Sequence, residues 1–155
     1  MRSLVNRLAS DFPEFSFTQA SGFWWSAQHR TIHFDAEHSN AQAFLFHELS
    51  HALLDHRHYV YDIDLIKLER DAWNYAQHTL AAQYNDTIGD DVVQDNLDTY
   101  REWLHARSTC PDCHTSGLQT KQQTYRCFGC GHEWRVNEAR LCALRRYTLQ
   151  TKERP

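Results

Sequence analysis

His47, Glu48 and His51 stand in the run Phe46-His47-Glu48-Leu49-Ser50-His51, an HExxH pattern inside an apolar stretch. Residues i and i+4 share one face of an α-helix, so the two imidazoles can converge on a single cation. Glu48, beside the first imidazole, can reach a water at the position that two nitrogen ligands leave open. The chemistry this allows is metal-assisted hydrolysis of a peptide bond, with two zinc ligands, an open site and a carboxylate base. The alternative is a core helix with two satisfied histidines. It would bury two imidazoles and a carboxylate among Phe and Leu, which is costly without a partner.

Such a centre needs a helix to carry it and a third ligand. Residues 39–58 contain neither Pro nor Gly. Ser39 can cap the start of a helix there, with Asn40 as the competing cap, and Phe44, Leu49, Ala52 and Leu53 supply its buried face. The segment Asp64–Ala76 reads as a second helix on which Glu69, Ala72, Trp73 and Ala76 share a face. A carboxylate on an otherwise apolar face is the anomaly. Glu69 completes a His/His/Glu set of gluzincin type, leaving the fourth position for water; otherwise it is a solvated or ion-paired Glu. Asp71 is the other candidate ligand, two residues away on a different face. In this scheme Glu48 takes a proton from the attacking water and delivers it to the leaving amine. The oxyanion donor stays open among Tyr61, Tyr75, His56, His58 and His78.

A second metal site is written in cysteines. Cys110-Pro111-Asp112-Cys113 and Cys127-Phe128-Gly129-Cys130 are separated by thirteen residues, the spacing of a four-thiolate structural zinc site. Gln119–Arg126 reads as one strand between the knuckles and His132–Val136 as another, giving a zinc ribbon. His114 and His132 flank the knuckles and could replace a thiolate, but four cysteines suffice. Disulfides are disfavoured by the absence of a secretion signal and by a reducing cytoplasm. Cys142 is expected as a small buried residue on a final helix. Thus two zinc ions are expected, one catalytic and one structural.

Charge divides the chain in the same way. Residues 1–106 carry 7 Lys and Arg against 16 Asp and Glu, whereas residues 107–155 carry 9 against 4. Arg126, Arg135, Arg140, Arg145 and Arg146, with Lys121 and the tail residues Lys152 and Arg154, surround the ribbon, interleaved with Tyr125, Phe128, Trp134 and Tyr147. Basic and aromatic groups together suit nucleic acid or an acidic partner. Four thiolates around zinc carry a net charge of about −2, which reduces the excess. The plainer alternative is a solvated basic face.

The expected architecture is α+β. Residues 1–106 form a metallopeptidase domain with a small N-terminal antiparallel sheet (Phe15–Ala20 and Arg30–Asp35, with Trp24-Trp25 between them) and a helical core. Residues 107–155 form the ribbon with a basic C-terminal helix and tail. Residues 3–11 read as a helix. A further helix after Gly89 starts at an Asp90 or Asp91 cap, with Val93, Leu97, Tyr100 and Leu104 as its apolar stripe. Ala106–Thr109 reads as a hinge. No apolar stretch is long enough to span a bilayer, and the N-terminus lacks the apolar run of a signal peptide, so a cytoplasmic location without membrane contact is expected.

The stretch Thr31–Ala76, with its strand Thr31-Ile32-His33-Phe34-Asp35, the Phe46–His51 motif and the later Glu69-Arg70-Asp71-Ala72, resembles the ImmA/IrrE-type metallopeptidases. The resemblance implies Glu69 as third ligand, and as substrate a DNA-bound repressor. The Asp or Asn usual after the Ala of that motif is Trp73 here, which puts a supporting hydrogen bond to a ligand histidine in question. The order of an HExxH domain before a zinc ribbon is similar to that of SprT-like proteases, which act on DNA-associated proteins. Their third ligand is ordinarily a His in a Gly-containing segment, and no His-Gly pair follows His51 before the ribbon. A different class of function is a non-catalytic zinc-binding adaptor that contacts nucleic acid through the ribbon.

Overall fold

The computed structural model describes residues 1–140 and 142–149; Lys152 and Arg154 lie outside them. The elements are α1 (Arg2–Asp11), β1 (Ser16–Gln19), β2 (Trp24–Ser26), β3 (Thr31–Phe34), α2 (Ala41–Leu53), α3 (Asp62–Tyr75), a wide π-type turn (Ala76–Leu80), the short α4 (Ala81–Gln83), α5 (Asp90–Ser108), and β4 (Gly117–Lys121), β5 (Thr124–Cys127), β6 (Glu133–Val136) and β7 (Arg146–Thr148). The class is α+β. No described helix is long and apolar enough to cross a membrane. Compactness divides the chain into Met1–His58 with Leu68–Asp95, and Tyr59–Lys67 with Asn96–Pro155, which differs from a linear boundary at 106/107.

In the first unit the sheet is mixed, not antiparallel as expected. β3 is its central strand, parallel to β1 (Ser16 beside Thr31) and antiparallel to β2 (Trp25 beside Ile32). The cause is the Trp24-Trp25 pair, which forms a strand rather than a link. Trp25 packs edge-on against Phe15 at 5.3 Å and Trp24 stacks on His33 at 4.2 Å. Inserting this strand between β1 and β3 in sequence lets the chain return to β1's direction. Ile32 and Phe34 alternate inward and are buried, as a sheet with one covered face requires.

α2 covers that face, with Leu45, Phe46 and Leu49 fully buried. Its cap position is Asn40, without a side-chain hydrogen bond; Asn40 instead receives its order from the His38 ring, to which its amide donates at 3.1 Å. α2 also packs on the wide turn after α3. Ala72 and Ala76 are fully buried, and such small side chains permit close approach of helical backbones.

The second unit is built on a four-stranded antiparallel sheet in the order β4-β5-β6-β7. The expected strand over Gln119–Arg126 is a hairpin instead, reversed at Gln122-Gln123, where Gln123 takes a positive φ of 57°. The inward face carries Tyr125, Cys127, Trp134 and Val136, which with Cys110 and Leu144 make a small core. The expected hinge is absent: Ala106–Ser108 form the last turn of α5, and Thr109 bridges Ser116. The described part of the C-terminal segment forms β7 rather than a helix, and Cys142 is exposed. The α5 stripe buries Val93 and Leu97 and half-buries Tyr100 and Leu104. Asp90 begins this helix and accepts a hydrogen bond from Gln77 at 2.6 Å.

One feature of this unit has no sequence signature. Arg107 is 2 % exposed, and its Nε donates to Asp62 Oδ2 at 2.5 Å. The Tyr125 hydroxyl donates to the same oxygen. Arg107 also donates to the carbonyls of Asn137 and Glu138, and its own carbonyl accepts from Trp134 Nε1 at 3.0 Å. Burial and the Asp62 carboxylate hold the Tyr125 hydroxyl well above its ordinary pKa.

Candidate metal centres

The first unit brings together three donors that lie far apart in sequence. His47 Nε2 is 3.1 Å from Glu69 Oε2 and 3.1 Å from His51 Nε2, and His51 Nε2 is 3.5 Å from Glu69 Oε2. Three ligands at about 2.0–2.1 Å from a tetrahedral metal stand roughly 3.3 Å apart, so the spacing fits a zinc-sized cation. All three side chains are nearly buried. Asp71, the other candidate ligand, is exposed and paired with Arg70 at 2.9 Å.

The electrostatics point to the same need. Burial would raise the Glu69 pKa, but hydrogen bonds to His47 and His51 outweigh it and hold the carboxyl well below its usual range. Burial would lower the pKa of His51, but the hydrogen bond and charge of Glu69 raise it. The carboxylate thus stabilises positive charge at this point, as a proton or as a metal ion. Glu48 lies beside this cluster, half-buried. Burial raises its pKa against the opposing pull of His47 and His51, and the Trp25 backbone amide donates to it.

The histidines are oriented by different means. His47 stacks on the fully buried Trp73, with ring centroids 4.2 Å apart and planes inclined by 20°. Its Nδ1 is buried with no hydrogen-bond partner among the described residues. Aromatic stacking fixes the plane of the His47 ring but supplies no acceptor for Nδ1. Phe44 packs edge-on against Trp73 at 5.4 Å and closes that side.

His51 is oriented by His56, whose Nδ1 lies 2.9 Å from His51 Nδ1. The end of α2 creates this pairing. The amide of Asp55 donates to Ala52 and that of His56 to His51, with Asp55 at φ 53°. This is a Schellman cap with Asp in the left-handed position that Gly usually takes. For His51 Nε2 to offer a lone pair to a metal, its Nδ1 must carry the proton and His56 Nδ1 must accept it. Burial and the charge of His51 lower the pKa of His56, which favours the neutral ring this role requires. Of the five residues considered as oxyanion donors, His56 is the one that contacts a member of the His/His/Glu cluster through its ring. His56→Ala is expected to weaken metal binding at this centre by about 10–100-fold, measured by competition with a chromogenic chelator. Unchanged affinity would show that His51 is oriented without it.

In the second unit Cys110, Cys113, Cys127 and Cys130 bring their sulfurs within 4.8 Å of one another. Neighbouring sulfurs are 3.4, 3.5 and 3.7 Å apart, against the ~3.8 Å of a tetrahedron with 2.3 Å zinc–sulfur bonds. The two knuckles repeat one another. His114 follows the first with φ 59° and Gly131 the second with φ 76°, and each donates its amide to the knuckle's first cysteine carbonyl. Amides of Gly129 and Cys130 also point at Cys127 Sγ. Hydrogen bonds from Thr115 and neighbouring thiols lower the Cys113 pKa to about 6. His132 pairs with Asp112 at 2.8 Å, and the converging set consists of the four sulfurs without it or His114.

The five arginines do not form one patch. Arg126 and Arg135 lie on the outward face of the sheet, Arg135 opposite Tyr147, which it overlies at 5.7 Å. Arg140 lies over Tyr100 at 4.0 Å, and Arg146 donates to the Ala106 carbonyl. Arg145 is exposed next to them in sequence. Glu133 sits opposite Arg126 and offsets part of its charge. The stacking of Trp73 on His47, the pairing of His56 with His51 and the Arg107–Asp62 pair of the second unit are what spacing did not reveal. No protein-family model matches the chain, and no curated protein or solved structure matches it either.

Proposed function

We propose that this chain is a metal-dependent endopeptidase in which His47, His51 and Glu69 hold zinc and Glu48 moves the protons. The observation that carries this reading is the half-buried carboxylate of Glu48, hydrogen-bonded beside a His/His/Glu cluster. A cation held only for structure has no use for a neighbouring base. Zinc bound there supplies a Lewis acid that polarises a carbonyl and acidifies water. Glu48 accepts the proton of the attacking water and passes it to the leaving nitrogen. Burial strengthens Glu48 as a base, and the Trp25 amide holds its carboxylate in place.

The likeness over Thr31–Ala76 supports an ImmA/IrrE-type enzyme acting on a DNA-bound repressor. The order of catalytic unit and ribbon keeps a SprT-like protease of DNA-associated proteins as the alternative. In either case zinc at the four cysteines is structural.

A second reading is a non-catalytic zinc-binding adaptor. What favours it is the outward face of the ribbon, where Phe128 is 75 % exposed and Tyr147 lies with Arg126 and Arg135, groups suited to single-stranded nucleic acid. Metal analysis separates the two. The peptidase reading expects two zinc ions per chain, one removed by mild chelation and by His47→Ala. A single thiolate-bound zinc, unaffected by His47→Ala, supports the adaptor and overturns the peptidase.

A further inference from the structure

We infer that the free edge of β4, with the apolar cavity beside it, is a docking site for an extended polypeptide segment bearing large apolar side chains. This goes beyond the peptidase reading and stands whether or not the His47 cluster is catalytic.

β4 is the outer strand of the second unit's sheet, and no described backbone hydrogen bond leaves its other edge. Unpaired strand edges are templates for another strand and are ordinarily blunted by charge, proline or a cover. β4, with the sequence Gly117-Leu118-Gln119-Thr120-Lys121, has one charge, at its end. In the same unit a cavity of about 450 Å³ is lined by Tyr61, Ile63, Leu104, Leu118, Gln119 and Tyr125. Gly117 also lines it. Successive side chains of a strand point to opposite faces. Gly117 and Gln119 stand beside Cys127 and Tyr125 on the inward face, whereas Leu118 points to the other, so the cavity lies against the inward face and reaches round the strand's edge to Leu118. Tyr61, Ile63 and Leu118 leave 41 %, 49 % and 56 % of their surfaces in water, an apolar concentration of the kind that marks interaction sites.

The chemistry identifies the occupant. A strand edge needs peptide N–H and C=O groups, and the cavity needs aliphatic or aromatic side chains. Gln119 is a fixed part of the wall. Its Oε1 accepts the Asp62 amide at 2.7 Å, which sets the side-chain amide, and its Nε2 is buried without a partner among the described residues. An extended polypeptide meets both needs, with side chains i and i+2 on the cavity side. An acyl chain meets only the second. No Lys or Arg lines the cavity, which disfavours nucleic acid here.

The test uses the full chain carrying Glu48→Gln, so that the probe stays intact. The probe is a fluorescein-labelled peptide of alternating leucine and threonine, followed by anisotropy. Saturable binding is expected. It should weaken at least about tenfold with Ile63→Lys, the loss of one apolar wall. Similar losses are expected for the matching peptide with alanine in place of leucine and for the leucine peptide N-methylated at alternate amides. Leu118→Lys, also at an exposed position, repeats the measurement if Ile63→Lys disturbs the near-ultraviolet circular dichroism. Absence of binding, or binding indifferent to the lysine variants, to leucine or to N-methylation, overturns the inference. So does a dimer that Ile63→Lys makes monomeric while the peptide fails to bind, because the edge then pairs with a second copy.

Discussion

Glu48→Gln should lower hydrolysis of any protein substrate that the wild type cleaves by about a hundred- to ten-thousand-fold, while leaving the zinc content unchanged. The substitution is nearly isosteric. Glutamine keeps an oxygen to accept the Trp25 amide, so the side chain retains its anchor, but an amide cannot take up the proton that the carboxylate accepts. The three converging donors are untouched, because Glu48 is not one of them. Loss of one nearby negative charge should change metal affinity far less than loss of a ligand. Glu69→Gln, in contrast, removes the charge that holds His47 and His51 together and is expected to lose both metal and activity. The pair of variants therefore separates a base from a ligand. If kcat falls and KM stays near its wild-type value, the group acts in the transition state and not in substrate binding. A Glu48→Gln protein that cleaves at the wild-type rate with a full zinc complement sinks the proposed role.

The parts of this centre that were legible are those encoded by short periods. His47 and His51 are one helical turn apart, and α2 forms where the absence of Pro and Gly allows it. Glu69 was visible as the one carboxylate on a face with Ala72 and Ala76, and the four cysteines were visible by spacing. What was hidden depends on pairings made across the chain or on residues in unusual backbone states. β1 joins β3 in parallel only because β2 intervenes in sequence, a relation that no local pattern carries. The cap that returns His56 to His51 uses Asp55 where glycine is the usual signal. His114 likewise takes the left-handed position that Gly131 takes in the second knuckle. Arg107, Asp62 and Tyr125 are separated by 45 and 63 residues in their hydrogen bonds. Arg107 stands at the end of a helix, where a solvated arginine is ordinary. The split of the arginines follows from β7, whose alternation sends Tyr147 to one face while Arg146, opposite buried Val136, goes to the other.

Cys127→Ser should cost the second unit its fixed tertiary structure as well as one zinc ion. The core available without the metal is small: Tyr125, Trp134 and Val136 with the two buried cysteines and Leu144 at its margin. A cluster of that size does not hold a unit together unaided, whereas a structural zinc contributes about 10–16 kcal/mol of apparent binding energy in small thiolate folds. The Arg107–Asp62–Tyr125 network does not replace it. Its attraction is largely offset by the cost of taking the charges out of water, so a buried pair contributes little net stability even though breaking it is costly. Loss of the near-ultraviolet signal of Trp134, which stacks on Tyr125 at 5.6 Å, is the readout, together with metal analysis. Cys142→Ser is the control. That cysteine is exposed, with a weak contact to Asn137 Nδ2 at 3.4 Å, and its replacement should change stability by less than about 0.5 kcal/mol. If Cys127→Ser loses zinc but keeps the wild-type near-ultraviolet spectrum, packing and the ion network hold this unit and the metal is dispensable to its fold. If the spectrum and the metal are lost together while Cys142→Ser matches wild type, the four thiolates are the origin of order in the sheet that presents both Arg135 and the β4 edge.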